Sequence, residues 1–207
     1  MIERVLVGGA DPVIGVIAEA FLPLDSTAWL IPDPEERRRT LAEYFAILVE
    51  HALEHGEVYG TADRSAVAVW LPRDGEAPPG PADYDSRMAD ACGPNTDRFR
   101  LLDALFSEAH PHGAHHHLAL LAVHPERQGA GLGSSLLEDR HRVLDRDGVP
   151  AYLEASSLRS RALYLRHGYE PCGEPFALPD GSLFHPMWRT PAPGRGVPRE
   201  EVRRSPR

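Results

Sequence analysis

The chain of 207 residues suits one domain with decorations, and its 42% hydrophobic and 26% charged residues suffice for a buried core, which excludes global disorder. A formal net charge of −9 argues against a nucleic-acid partner, which needs basic surface, and mildly favours cationic small molecules such as amines. No apolar run approaches the ~20 residues of a membrane span, the Met1–Arg4 start lacks the pattern of a signal peptide, and two distant cysteines, Cys92 and Cys172, read as free thiols of a cytoplasmic protein.

In chain order, Ile2–Val7 reads as a strand ending at Gly8-Gly9. Asp11-Pro12 offers a cap and first-turn proline for a helix to about Glu19, and Asp33-Pro34 repeats the signal. After it, Leu41, Tyr44, Phe45, Leu48, Val49 and Ala52 recur at helical spacing until Gly56. Val58–Thr61 and Ala66–Leu71 predict a hairpin around Asp63-Arg64, and Pro72–Pro81 a loop. Asn95-Thr96 opens a helix marked by Phe99, Leu102, Leu105 and Phe106. The run 118–123 is apolar without alternation, as in a strand buried on both faces. A helix over Gly131–Asp147, a strand over Ala151–Ala155 and a helix over Leu158–His167, capped by Ser156 or Ser157 and closed by Gly168, follow. Tyr169–Cys172 and Ser182–Trp188 read as final strands. Residues 1–189 form the expected domain, and the Pro-, Gly- and Arg-rich segment 190–207 reads as a disordered tail.

The informative stretch runs from Val123 to Ser134, where a buried strand enters a turn holding Gly129, Gly131 and Gly133 and a helix follows. Glycines let backbone N–H groups approach a ligand, and a helix N-terminus adds free donors and partial positive charge, which together suit a phosphate. A P-loop would need a lysine that is absent. A dinucleotide fingerprint lacks its third glycine at Ser134, although an acidic residue, Glu154, stands about 20 residues further on. The third reading is a pyrophosphate loop of the acetyl-CoA type.

Here the sequence resembles the GNAT superfamily of N-acetyltransferases. Gln128, Gly131 and Gly133 match its [RQ]-x-x-G-x-[GA] signature, Ala151–Ser156 looks like its next strand, and Ala162–Tyr169 looks like its Y-x-x-x-G-[FY] element. These elements cover about residues 115–170, the expected cofactor half. Within the superfamily, the runs 66–70, 128–134 and 148–154 look closest to puromycin N-acetyltransferase and its relatives. The resemblance implies an α/β fold with a mixed, largely antiparallel sheet of six or seven strands and flanking helices. It also implies acetyl transfer from acetyl-CoA to an amine by direct attack, with no metal, in a monomer or homodimer. A small-molecule amine is the expected acceptor. The alternatives are a protein N-terminus or lysine and, in another class, a non-catalytic acyl-CoA sensor.

The resemblance also assigns residues. Leu121, Ala122 and Val123 would offer backbone groups to the pantetheine and acetyl parts, and Arg127, Gln128, Gly129, Ala130, Gly131, Leu132, Gly133 and Ser134 would hold the pyrophosphate. Arg127 reads equally as a phosphate partner or as a solvated side chain. Tyr164 lies off the apparent apolar face Leu158-Ala162-Leu165, and its implied role is proton donor to the CoA thiolate. Glu154, at the end of a buried strand, reads as a general base whose carboxyl burial would raise, or as a structural carboxylate. His110, His112 and His115–His117 would suit zinc by composition. Strand alternation turns His115 and His117 away from His116, and no carboxylate but Glu108 is close in sequence, so a pocket wall with one histidine aiding proton removal is expected instead. Arg140, inside the apolar stripe of its helix, has no explanation in the sequence.

Overall fold

The computed structural model describes residues 1–74 and 80–192. Seven strands form one sheet in the order β1-β2-β3-β4-β5-β8-β6. They are β1 (Ile2–Arg4), β2 (Glu57–Thr61), β3 (Ala66–Asp74), β4 (Ala114–Val123), β5 (Ala151–Ala155), β6 (Glu170–Pro171) and β8 (Leu183–Arg189), while the short β7 (Phe176–Ala177) pairs with the start of β8. Every pairing is antiparallel except β4 with β5. Helices α1 (Ala10–Phe21), α2 (Asp25–Leu30), α3 (Pro34–His55), α4 (Tyr84–Cys92) and α5 (Thr96–Ala109) precede β4, and α6 (Leu132–Asp147) and α7 (Leu158–Arg166) flank β5 in sequence. No described helix is long and apolar enough to cross a membrane.

The sheet divides two cores. On one face Val67, Val69, Leu120 and Ala122 pack with Ile17, Leu41, Phe45 and Phe99 of α1, α3 and α5. On the other, Ala66, Ala68, Trp70 and Leu118 pack with Leu136, Leu137 and Leu144 of α6. Strand β3 obeys period-two alternation. Strand β4 does not: Leu118 and Leu120 share a parity but face opposite cores. The cause is a bulge. Leu120 pairs with Val69 and Leu118 with Trp70, so Ala119 is the extra residue, and the strand turns over at that point.

Local chemistry explains the element ends. The Asp33 carboxylate accepts the Glu35 N–H at 2.9 Å with Pro34 in the first turn of α3. Ser157 caps α7 in a reciprocal box with Ser160, settling the choice between Ser156 and Ser157. Gly148 closes α6 at φ +68°.

Several expectations are corrected. The first strand stops at Arg4, and Val7–Gly9 is a 3-10 turn leading into α1. Pro72, Arg73 and Asp74, expected in a loop, extend β3. Proline is tolerated there because β2 ends opposite Trp70, leaving that edge without a partner. Residues 75–79 of the expected loop and 193–207 of the expected tail lie outside the described residues. Of that tail, Ala192 is tied by its N–H to Asp145 at 2.8 Å. Helices α2 and α4 are additional; the first is six residues long, too short to show a period.

Candidate active site

Strands β4 and β5 pair only at His116–Ala151 and His117–Tyr152 and then part. Beyond His117, the backbone groups of β4 directed toward β5 face a gap rather than a ladder. Leu121, Ala122 and Val123 line this gap, with Leu121 and Val123 turned toward α6 and Ala122 toward the other core.

The glycine turn closes one end of the gap. Gly129 and Gly131 have φ of +82° and +80°, a region that disfavours side chains, so both are required by the backbone path. Gly133 lies in the first turn of α6, and a Cβ there would make ordinary contacts of 3.7–3.8 Å with Leu163, Val123 and Leu121. The first backbone bond into α6 is Ser135 N–H to the Gly131 carbonyl at 3.0 Å, so the N–H groups of Leu132, Gly133 and Ser134 remain as donors at the helix start. Gln128 ties the turn to its neighbours: its Nε2 donates to the Val123 carbonyl at 3.3 Å, and its Oε1 accepts from Arg159 at 3.1 Å. Ala130 stands exposed at the turn, and Ser134 Oγ lies 3.0 Å from His167 Nε2. These donors and the glycine path suit the pyrophosphate of acetyl-CoA. Arg127 forms an ion pair with Asp63 at 3.1 Å, half-exposed at both ends.

On the opposite side of the gap a cavity of about 650 Å³ opens, walled by Tyr44, Phe45, Phe99 and Phe106. Glu154 and Tyr164 reach it from β5 and α7, His115 and His117 from the start of β4, and His110 from the end of α5. The Glu154 side chain is only 4% exposed, and its Oε2 accepts from His117 Nε2 at 2.9 Å. His110 Nδ1 stands 3.7 Å from the other carboxylate oxygen. Burial alone would raise the Glu154 carboxyl, as the sequence led one to expect, but the neighbouring His117, hydrogen-bonded to it, and then His110 outweigh it and bring the group down to about 2. Glu154 is therefore a carboxylate acceptor. His117 meets this carboxylate through Nε2, and its Nδ1 is buried without a hydrogen-bond partner. His115 is lowered to about 4, chiefly by burial, and is neutral at pH 7.

The strand alternation expected for the histidines holds: His115 and His117 face the cavity, while His116 Nδ1 meets Arg140 at 3.1 Å on the other face. The sequence missed Glu154 as their partner. The parallel β4–β5 pairing brings His117 to a carboxylate 37 residues away, and ligand-capable atoms of His110, His117 and Glu154 lie within 4.8 Å of one another. Strand β2 accounts for Arg140. The arginine forms an ion pair with Glu57 and sits over the Tyr59 ring at 5.7 Å, so a charge in the apolar stripe of α6 is neutralised by β2.

Tyr164 reverses the expected helix face. It is 7% exposed and lies in the core beside Tyr169, whereas Leu158 and Leu165, the supposed apolar stripe, are 72% and 42% exposed. Its phenol lines the cavity and is pushed well above the ordinary range by burial and then by the Glu154 charge, so it keeps its proton.

The acetyltransferase (GNAT) domain family matches residues 102–171. Mycothiol acetyltransferase of Jonesia denitrificans is 32% identical over 97 residues, 44% of this chain, and the chain spans only 31% of that relative's length. The crystal structure of histone acetyltransferase HPA2 and related acetyltransferase from Corynebacterium glutamicum superposes with a TM-score of 0.70 at 25% identity, covering 95% of this chain and 98% of that one. Arylalkylamine N-acetyltransferase 2 from Aedes aegypti shares the fold, with a TM-score of 0.60 at 14% identity over 93% of this chain and 99% of that one. The closer likeness to puromycin N-acetyltransferase thus reduces to the level these relatives have in common. The family match thus falls on the cofactor half, residues 102–171, and the chain as a whole has the α/β fold of the GNAT acetyltransferases.

Proposed function

We propose that the protein moves an acetyl group from acetyl-CoA to a primary amine of a small molecule by direct attack. The observation that carries this reading is the parting of β4 and β5, with the glycine turn at one side of the gap and the Glu154–His117 pair in an aromatic-walled cavity at the other. The aromatic walls of that cavity suit a small apolar acceptor.

Acetyl-CoA supplies the activated acyl group, held by the N–H donors of the turn and of the first turn of α6. An amine is mostly protonated at neutral pH and must lose a proton before it attacks. His117, oriented through Nε2 by Glu154, takes that proton on Nδ1. As the N–C bond forms, backbone N–H groups of the 121–123 segment stabilise the charge that develops on the acetyl oxygen. When the C–S bond breaks, the Tyr164 hydroxyl donates a hydrogen bond to the departing sulfur. No metal enters this sequence of steps. A thiol-release assay with acetyl-CoA over a panel of amines tests the reading. Tight acetyl-CoA binding without release from any amine would favour the sensor instead.

A further inference from the structure

Acetyl transfer uses one anion of the cavity and leaves one cation unexplained. Arg73 stands on β3 directly across from His115, so its side chain emerges on the face that carries His115 and His117, and it lines the cavity with them. Its guanidinium forms no ion pair among the described residues, and its Nε is buried without a hydrogen-bond partner. The two buried arginines are tied: Arg140 to Glu57, and Arg189 to both oxygens of Asp145 at 2.7 and 2.8 Å.

The Glu154 charge favours the guanidinium from across the cavity, yet neither carboxylate of the cavity forms an ion pair with it among the described residues. Glu154 is engaged by His117 at 2.9 Å. Asp103 accepts from Tyr84 at 2.8 Å and from Tyr44 at 3.4 Å, one phenol on each oxygen. A half-buried guanidinium whose Nε lacks a partner gains from one, and a planar carboxylate fits its fork with two parallel bonds. Arg73 therefore suits an anion, while the Glu154–His117 pair suits an amine. The space between them is bounded by Phe45, Phe99 and Phe106.

We infer that the acceptor is a zwitterion, an apolar or aromatic amino acid whose amine docks at the Glu154–His117 pair and whose carboxylate pairs with Arg73. This rests on the acetyltransferase reading and narrows it. It makes Arg73 a specificity residue: a simple arylalkylamine would fill the aromatic walls yet leave the guanidinium half-buried and unpaired.

The test uses two matched pairs of acceptors, phenylalanine with 2-phenylethylamine and 4-(aminomethyl)benzoate with benzylamine, in a thiol-release assay on the full chain. For at least one pair the acid should exceed its carboxylate-free partner by about 30-fold or more in kcat/KM, the discrimination of a charge-assisted pair. Arg73→Met should cut that preference to within about threefold, and Arg73→Lys should restore part of it, as a point charge without the fork does. Calorimetric titration of the same four compounds into the CoA complex gives a second readout, with the acid binding more tightly in wild type and the difference shrinking in Arg73→Met. Equal or faster turnover of the carboxylate-free amines in wild type overturns the inference while the acetyltransferase reading stands. A preference that survives Arg73→Met, or no binding of either acid, also overturns it. Failure of every amine in the wider panel would instead remove the reading on which it rests.

Discussion

His117 Nε2 lies 2.9 Å from Glu154 Oε2, bridging β4 and β5 where their pairing ends, two residues beyond Tyr152. A carboxylate held at about 2 remains ionised at any working pH, so Glu154 orients the imidazole and does not itself titrate during turnover. Glu154→Gln should lower kcat by ~10²–10⁴-fold while leaving an acidic limb in the pH–rate profile, because the proton acceptor is still present. Steady-state kinetics from pH 5 to 9 check this. Disappearance of the limb would make Glu154 the base, and a wild-type rate would return it to a structural part.

Tyr164→Phe removes a hydroxyl from the cavity and keeps a ring that packs against Tyr169 with centroids 5.7 Å apart. Folding and acetyl-CoA affinity should barely change. Because burial pushes the phenol further above a thiol near ~8.5, full proton transfer is uphill and a hydrogen bond carries the effect. The expected fall in kcat is ~10–10³-fold, about 1.4–4 kcal/mol of transition-state stabilisation. A wild-type kcat would rule out the acid role, and a parallel loss of cofactor affinity would make Tyr164 a wall of the cofactor site.

How much of this was legible in the sequence depends on range. The turn from Gln128 to Gly133 announces itself because all its parts are local: two glycines at positive φ, a strand before and a helix after. The Glu154–His117 contact is set by which strands are neighbours, and no spacing along the chain encodes that. The helical stripe Leu158-Ala162-Leu165 pointed the wrong way because α7 lies over the gap, where its tyrosine turns inward and its leucines face outward. The bulge at Ala119 was equally hidden, since an uninterrupted apolar run shows no change of face. Arg140 looked like an error in its helix until β2 supplied Glu57.

The trio His110, His117 and Glu154 has the donor set of a zinc site, and the steps above route nothing through a metal. Prolonged dialysis against a strong chelator should therefore leave kcat within about twofold, while added zinc should inhibit by occupying the base. Loss of rate on chelation, restored by stoichiometric zinc, would make the trio a metal centre and displace His117 as the base.

Acid should weaken the fold before it reaches the carboxylates. His141 is buried, meets Tyr169 at 3.1 Å and is held down at about 3, first by burial and then by the Arg189 charge; His115 is held at about 4. In the unfolded chain both regain values near ~6.5 and bind protons that the native state refuses. Stability is therefore full above that value and falls as pH drops toward 4, by up to ~1.4 kcal/mol per pH unit for each fully neutral histidine. Urea unfolding at pH 7, 6 and 5 measures the slope, and His141→Gln should reduce it. A fold that gains stability between pH 6.5 and 4.5 would contradict the assignment.

The central claim is that the parted strands and the glycine turn receive acetyl-CoA. Thermal unfolding with and without ligand tests it most directly, in wild type and in Gly131→Val. Acetyl-CoA at ~100 times its Kd should add about 2.7 kcal/mol to wild type, and NAD and ATP should add nothing. In Gly131→Val, a branched side chain at φ +80° strains the turn and crowds the pyrophosphate path, so the folded variant should unfold at a somewhat lower temperature and show no shift with acetyl-CoA. Stabilisation of wild type by NAD alone, or an undiminished acetyl-CoA shift in Gly131→Val, would contradict it.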